Sequence, residues 1–178
     1  MDKREQVLKT ITGELTGYVP SCFSLHFPPE EATGEKGIES HIRFHKATDM
    51  DILKIMNENL VPYCGPFTDG SSYKQIPAIS MKNDFMREQI EFSKEILDRC
   101  DDNPFSIGTL HGVVASAVHP LRKAGFSPEE ARKFQTAAIR SATQVVVDAY
   151  HRIADGMSEL AQAYIKAGVD GVYFAALG

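Results

Sequence analysis

Residues 167–176 read AGVDGVYFAA, and this stretch decides the fold that the sequence predicts. Gly168 is a predicted C-cap of the preceding helix, since glycine adopts the left-handed conformation without strain. Residues 169–171 then make a tight turn, and residues 172–176 form a predicted short strand that is apolar on both faces. A helix, a tight turn and an all-apolar strand are typical of a parallel sheet covered by helices. The sequence therefore predicts an α/β fold.

The helical region before this strand opens on a strong start signal at Ser127. The Ser127 hydroxyl can accept a hydrogen bond from the N–H of Glu130, whose carboxylate can reach back, and Pro128 suits the first helical position. Apolar residues then recur at spacings of three and four up to Ile153, which places them on one face. The pattern is interrupted at Asp155-Gly156 and resumes from Met157.

Further strands and helices alternate upstream of this region. Predicted strands span residues 19–27, 51–56 and 104–110, and predicted helices span residues 2–12, 35–47, 84–100 and 113–123. Strands that alternate with helices favour parallel pairing and right-handed crossovers. No Gly-x-Gly-x-x-Gly or phosphate loop follows a strand, which disfavours a nucleotide-binding open sheet. The strand count is about half that of a (β/α)8 barrel, which needs about 250 residues.

Composition and charge narrow the class of protein. The 178 residues, 43% of them hydrophobic, suit a single domain over residues 1–178. A net charge of -5 argues against nucleic-acid binding, and no apolar run approaches the roughly 20 residues that span a bilayer. The three cysteines, odd in number and widely separated, suit a reducing cytoplasm. An all-apolar strand at residues 172–176 needs neighbours on both sides, so we expect a homo-oligomer or a second half-barrel chain.

Several segments together resemble the uroporphyrinogen decarboxylase superfamily. They are the opening helix with Thr12-Gly13-Glu14, the strand start at Val19-Pro20, the segment DILKIMN at residues 51–57, and the AGVDGVYFA segment at residues 167–175. The resemblance covers nearly all of the chain and only the N-terminal half of the family barrel. It therefore implies that the fold is a partial TIM (β/α)8 barrel.

The resemblance implies a carboxy-lyase of porphyrin metabolism that acts on a tetrapyrrole-related small molecule without a cofactor. Family decarboxylases carry an arginine-rich segment after the first strand, whereas residues 25–31 here contain no arginine. The superfamily also includes zinc-dependent methyltransferases that work with a corrinoid partner, and their zinc ligands belong to the C-terminal half. An inactive half-barrel or a binding fragment is a third alternative.

Candidate site residues follow from the position of barrel active sites at the C-terminal ends of the strands. Asn57 and Glu58 are the catalytic candidates, because the family places an aspartate after the second strand. Glu58 could act as a general base or bind a substrate N–H, or it could be a solvated loop residue. His26, Phe27 and His111 are the substrate-binding candidates, and both histidines could instead be structural.

His41 and His45 have the spacing of metal ligands on a helix, since they are four residues apart. The glutamate and the third ligand that a zinc site of this kind needs are missing from the pattern. We interpret the pair as part of a solvated helix face, and no metal ligand is predicted in this chain.

Overall fold

The structure, a computed structural model, describes residues 2–176. It is a mixed α/β fold with seven α-helices and three β-strands among these residues. The helices are α1 (Lys3–Ile11), α2 (Gly34–Thr48), α3 (Asp84–Asp98), α4 (Val113–Ser116), α5 (His119–Lys123), α6 (Pro128–Ser141) and α7 (Thr143–Lys166). The strands are β1 (Ile52–Ile55), β2 (Phe105–His111) and β3 (Gly171–Ala175). None of the helices within residues 2–176 is both long and apolar enough to cross a membrane.

The strands form one open sheet in the order β1-β2-β3. β1 and β2 run parallel, with Ile52 opposite Phe105 and Ile55 opposite Gly108. The backbone N–H of Asp170 donates to the carbonyl of Ser106, and the N–H of Gly112 donates to the carbonyl of Ala175, as a parallel β2-β3 pair requires. The predicted α/β class and the parallel pairing are confirmed.

The prediction of a strand at residues 19–27 is wrong. Only Ser21 bonds to the start of β1 through its backbone, where its carbonyl accepts from the N–H groups of Asp51 and Ile52. Pro20 has no N–H to donate, and most of the segment is exposed. Side-chain bonds hold the segment instead, since the Asp51 carboxylate accepts from the Tyr18 hydroxyl at 2.6 Å and from the Ser21 hydroxyl at 2.7 Å.

The described chain divides into two compact units. The first contains the residues up to Glu58 together with Glu88–Thr109 and Gln162–Tyr173, and the second contains Asn59–Arg87, Leu110–Ala161 and the residues from Phe174 onward. The apolar core of the first unit is contributed by helices and strands alike. It includes Val7, Ile38, Leu53, Ile55, Ile96, Phe105 and Tyr164.

An ion pair fastens α1 in the first unit. Both guanidinium Nη atoms of Arg4 donate to the Asp170 carboxylate, and Nη1 also donates to the carbonyl of Pro104. The Ser106 N–H donates to the same carboxylate at 2.9 Å. Burial disfavours the charged carboxylate, but the bonds from Arg4 and Ser106 outweigh it and lower the pKa of Asp170.

The two faces of the sheet differ. On one face, Gly108 of β2 lies against the buried ring of Tyr164, and an added Cβ would come within 2.8 Å of that ring. On the other face, the Lys54 ammonium lies 3.6 Å from the centre of the Tyr173 ring, and burial lowers the pKa of Lys54. Tyr173 is 45% exposed, so this second face is only partly covered.

The second unit is built around α6 and most of α7. The capping box predicted at the start of α6 is confirmed, since Ser127 and Glu130 exchange hydrogen bonds. The helical region breaks at Ala142, between α6 and α7, and not at Gly156. Gly156 lies within α7 against Ile79, where an added Cβ would clash with the isoleucine side chain. The interruption in the apolar pattern therefore marks a close contact.

Candidate functional site

The turn after β1 is held by two buried side chains of the first unit. The backbone N–H of Met56 donates to Nε2 of His41 at 3.1 Å, and the carbonyl of Met56 accepts from Nε2 of Gln89 at 3.1 Å. His41 and Gln89 are both almost fully buried. Asn57 and Glu58 follow directly, so the two predicted catalytic residues leave the sheet from a fixed backbone.

His41 is neutral in this arrangement. Its Nδ1 lies 2.7 Å from the carbonyl of Gly37, which can only accept, so Nδ1 carries the proton and Nε2 is the acceptor for Met56. Burial lowers the pKa of His41, which agrees with a neutral ring. The interpretation of His41 and His45 as a solvated face is wrong, because both side chains are buried.

Glu58 and His26 form a hydrogen-bonded pair. Glu58 Oε1 lies 2.6 Å from Nδ1 of His26. The Glu58 side chain is 24% exposed and the His26 side chain is 74% exposed. A carboxylate fixed at one ring nitrogen orients the imidazole, and Nε2 lies on the other side of the ring, accessible from solvent. The pair can therefore hold a proton and pass it to a bound molecule.

Phe27 and Asn57 are more enclosed than their neighbours. The Phe27 ring lies 4.8 Å from the His41 ring and 6.0 Å from the Phe44 ring, between centroids. Asn57 is buried directly beside the fixed Met56. Both residues thus support the turn that presents Glu58, and Phe27 follows His26 directly in the chain.

His111, the remaining predicted site residue, belongs to the second unit. It is half-buried and lies edge-on to the ring of His119, with 5.1 Å between the ring centroids. Burial lowers the pKa of His119 to about 3, and the nearby His111 and Lys123 act in the same direction. His119 Nδ1 is buried without a hydrogen-bond partner among residues 2–176.

Metal-ligating side chains do not cluster in the described part of the chain. Within residues 2–176, no three His, Cys, Asp or Glu side chains are grouped as a metal site requires. His45, four residues after His41, is bound to Asp102, with 2.9 Å between Nε2 and Oδ2. The zinc alternative would need ligands outside these residues, where the resemblance also places them.

Sequence reasoning found the His26–Glu58 pair as two separate candidates and missed His41 and Gln89. A signal for His41 was present, because Ile38, His41 and His45 follow one another at spacings of three and four. Comparisons with known protein families, with curated proteins and with solved structures find no match. The geometry of the residues around β1 is therefore the basis on which a function can be assigned.

Proposed function

We propose that the protein is an enzyme of the uroporphyrinogen decarboxylase type, which acts on a small molecule through general acid–base chemistry at His26 and Glu58. The observation that carries the proposal is the 2.6 Å contact between Nδ1 of His26 and Oε1 of Glu58, just after β1. Active sites of (β/α)8 barrels lie at the C-terminal ends of the strands. Glu58 comes three residues after the end of β1.

The pair has the chemistry that a decarboxylation needs. When the carbon–carbon bond to the departing carboxylate breaks, carbon dioxide leaves and the electron pair stays on the remaining carbon. A general acid must protonate that carbon, and the imidazolium of His26 can deliver the proton from Nε2 while Glu58 holds Nδ1. The exposure of His26 lets solvent restore the proton afterwards.

The order of the strands supports a partial barrel as the finer description of the fold. In a (β/α)8 barrel each strand lies beside the strand that precedes it in the chain, and all strands are parallel. The order β1-β2-β3 follows the chain in the same way. A doubly wound sheet would instead reverse its strand order at some point.

The outer edge of β3 supports an oligomer. Among residues 2–176, β3 has a strand neighbour on one side only, and its Tyr173 and Phe174 are 45% and 55% exposed. An exposed apolar edge strand is a surface on which another strand can pair. We propose that a second copy of this chain pairs there through its own β3, in an isologous contact.

An assay with uroporphyrinogen III tests the enzymatic proposal. We expect the wild-type protein to yield products with fewer carboxylates, separated by liquid chromatography. Both His26→Gln and Glu58→Gln should slow the reaction at least 100-fold, since acid–base groups contribute about 10²–10⁴-fold. His151→Gln is the matched control, because His151 is an exposed histidine of α7.

Two results would contradict the proposal. Absence of product from the wild-type protein would reject the decarboxylase assignment, and equal rates in wild type and His26→Gln would reject the acid–base pair. Nitrogen-15 NMR of His26 tests whether Glu58 orients the ring, independently of any catalysis. Glu58→Gln should change the Nδ1 resonance even where no substrate is turned over. An unchanged resonance would mean that Glu58 does not orient the ring.

A further inference from the structure

A groove of about 660 Å³ runs between two helical stripes of the second unit. One stripe consists of Val114 of α4, Val118 between the two short helices and Arg122 of α5, which are four residues apart. The other comes from α6 and includes Arg132 and Ile139. Small-molecule sites in proteins occupy about 300–1,000 Å³, so the volume suits a ligand of that size.

Two hydrogen bonds fix the relative direction of the two stripes. Gln135 Nε2 donates to the carbonyl of Val114 at 3.0 Å, which sets α4 beside the C-terminal half of α6. Arg122 Nη1 donates to the carbonyl of Phe126, just before α6 begins. The stripes are therefore antiparallel, and Arg122 lies toward the end of the groove where α6 starts.

The groove is polar at one end and apolar at the other. Arg122 and Arg132 lie toward the start of α6, and neither forms an ion pair with any residue from 2 to 176. Val114 and Ile139 lie toward the other end and stay 38% and 40% exposed. The described residues that line the groove include no Asp or Glu.

We propose that this groove binds an amphipathic carboxylate, with the head group on Arg122 and Arg132 and an aliphatic tail along Val114, Val118 and Ile139. The planar guanidinium group binds carboxylates through paired hydrogen bonds, which are stronger than neutral ones. Burial of a tail against the exposed valine and isoleucine removes apolar surface from water. The site uses none of the residues of the His26–Glu58 pair, so either proposal can fail alone.

Isothermal titration calorimetry with three probes tests this site. We expect decanoate to bind with a stoichiometry of one. Acetate should bind at least tenfold more weakly than decanoate because it lacks the tail. Decyltrimethylammonium should also bind at least tenfold more weakly, because its charge is reversed. Arg122→Gln and Arg132→Gln should each lower the affinity for decanoate at least tenfold. Ile139→Ser should lower the affinity for decanoate and leave the affinity for acetate unchanged.

Arg140→Gln is the matched control, since Arg140 is an exposed arginine of α6 outside the groove. It should bind decanoate as the wild type does. Circular dichroism checks that each variant is folded. Both substituted arginines are exposed, and Arg132→Gln leaves the bond from Arg122 to the carbonyl of Phe126 in place. Equal binding of decanoate and decyltrimethylammonium, or undiminished binding in the Arg122→Gln/Arg132→Gln double variant, would overturn the proposal.

Discussion

His119 makes the folded protein sensitive to acid. Burial lowers its pKa to about 3 in the folded state, whereas a histidine in an unfolded chain titrates near 6.5. Between these values the unfolded state binds more protons, so the free energy of unfolding decreases as the pH falls. We expect His119 to remove about 2 kcal/mol of stability between pH 7 and pH 5.

Urea unfolding at the two pH values measures this effect. His119→Gln should reduce the difference between pH 7 and pH 5 by about 2 kcal/mol, whatever it does to stability at pH 7. Exposed His151 provides the control, and His151→Gln should keep the wild-type difference. If His119→Gln lost stability as steeply as the wild type, the acid sensitivity would come from another group.

Single residues of the site were predictable only as candidates. Glu58 was placed at a strand end by the apolar pattern of β1, whereas His26 was placed at the end of a predicted strand, residues 19–27, that the fold does not contain. Their contact spans 32 positions in the chain, and no local pattern encodes such a distance. His41 was misplaced because its burial depends on a tertiary contact: Nδ1 is satisfied within α2 by the carbonyl of Gly37, but the partner of Nε2 is the N–H of Met56, 15 positions away in the chain.

The contact between β2 and the last turns of α7 requires a glycine at position 108. A Cβ there would come within 2.8 Å of the buried Tyr164 ring, whose hydroxyl donates to the carbonyl of Thr109 at 3.1 Å. We expect Gly108→Ala to lower the free energy of unfolding by about 1–3 kcal/mol, the range for an overpacked core. Thermal or urea unfolding gives the value.

Gly171→Ala is the control for this substitution. Gly171 is also a strand glycine, but a Cβ there would lie 3.5 Å from Ile107, which is an ordinary contact. The control should therefore change stability little. Similar losses in both variants would mean that strand glycines matter for their backbone conformation and not for the approach of Tyr164.

Elements with local signals were predicted well. The capping box at Ser127 fixed the start of α6, and the apolar runs located β1, β2 and β3 to within one or two residues. Two errors came from tertiary contacts. Gly156 interrupts the apolar pattern of α7 because Ile79 packs against it, and residues 19–27 are held by the Asp51 side chain in place of strand pairing.

The whole molecule should self-associate through the edge of β3. We expect light scattering after size exclusion to give the mass of two chains for the wild type. Phe174→Lys should give the mass of one chain, because lysine on an edge strand opposes pairing. Ile165→Lys is the matched control, since Ile165 of α7 is 52% exposed and Phe174 is 55% exposed.

A wild-type protein with the mass of one chain would reject the homo-oligomer. Loss of association in Ile165→Lys as well as in Phe174→Lys would move the contact away from β3. If the wild-type protein associated through β3 only when another polypeptide was present, the partner would be a second half-barrel chain and not a second copy.

For the whole molecule, the class of fold was predictable from the sequence because the alternation of helices and apolar strands extends along the whole chain. The number of strands in the sheet was overestimated, since residues 19–27 lie beside β1 without joining it as a strand. That the three strands belong to a larger barrel stays a prediction. A barrel requires the order β1-β2-β3, but other parallel sheets can have the same order.

The Arg4–Asp170 ion pair joins two residues that the ribosome synthesises at different times. The two residues are 166 positions apart, and ribosomes add roughly 5–20 residues per second. Arg4 is therefore translated roughly 8–33 s before Asp170. A helix of nine residues is not stable alone in water, so we expect the contact that fastens α1 to Asp170 to form only after residue 170 has left the ribosome.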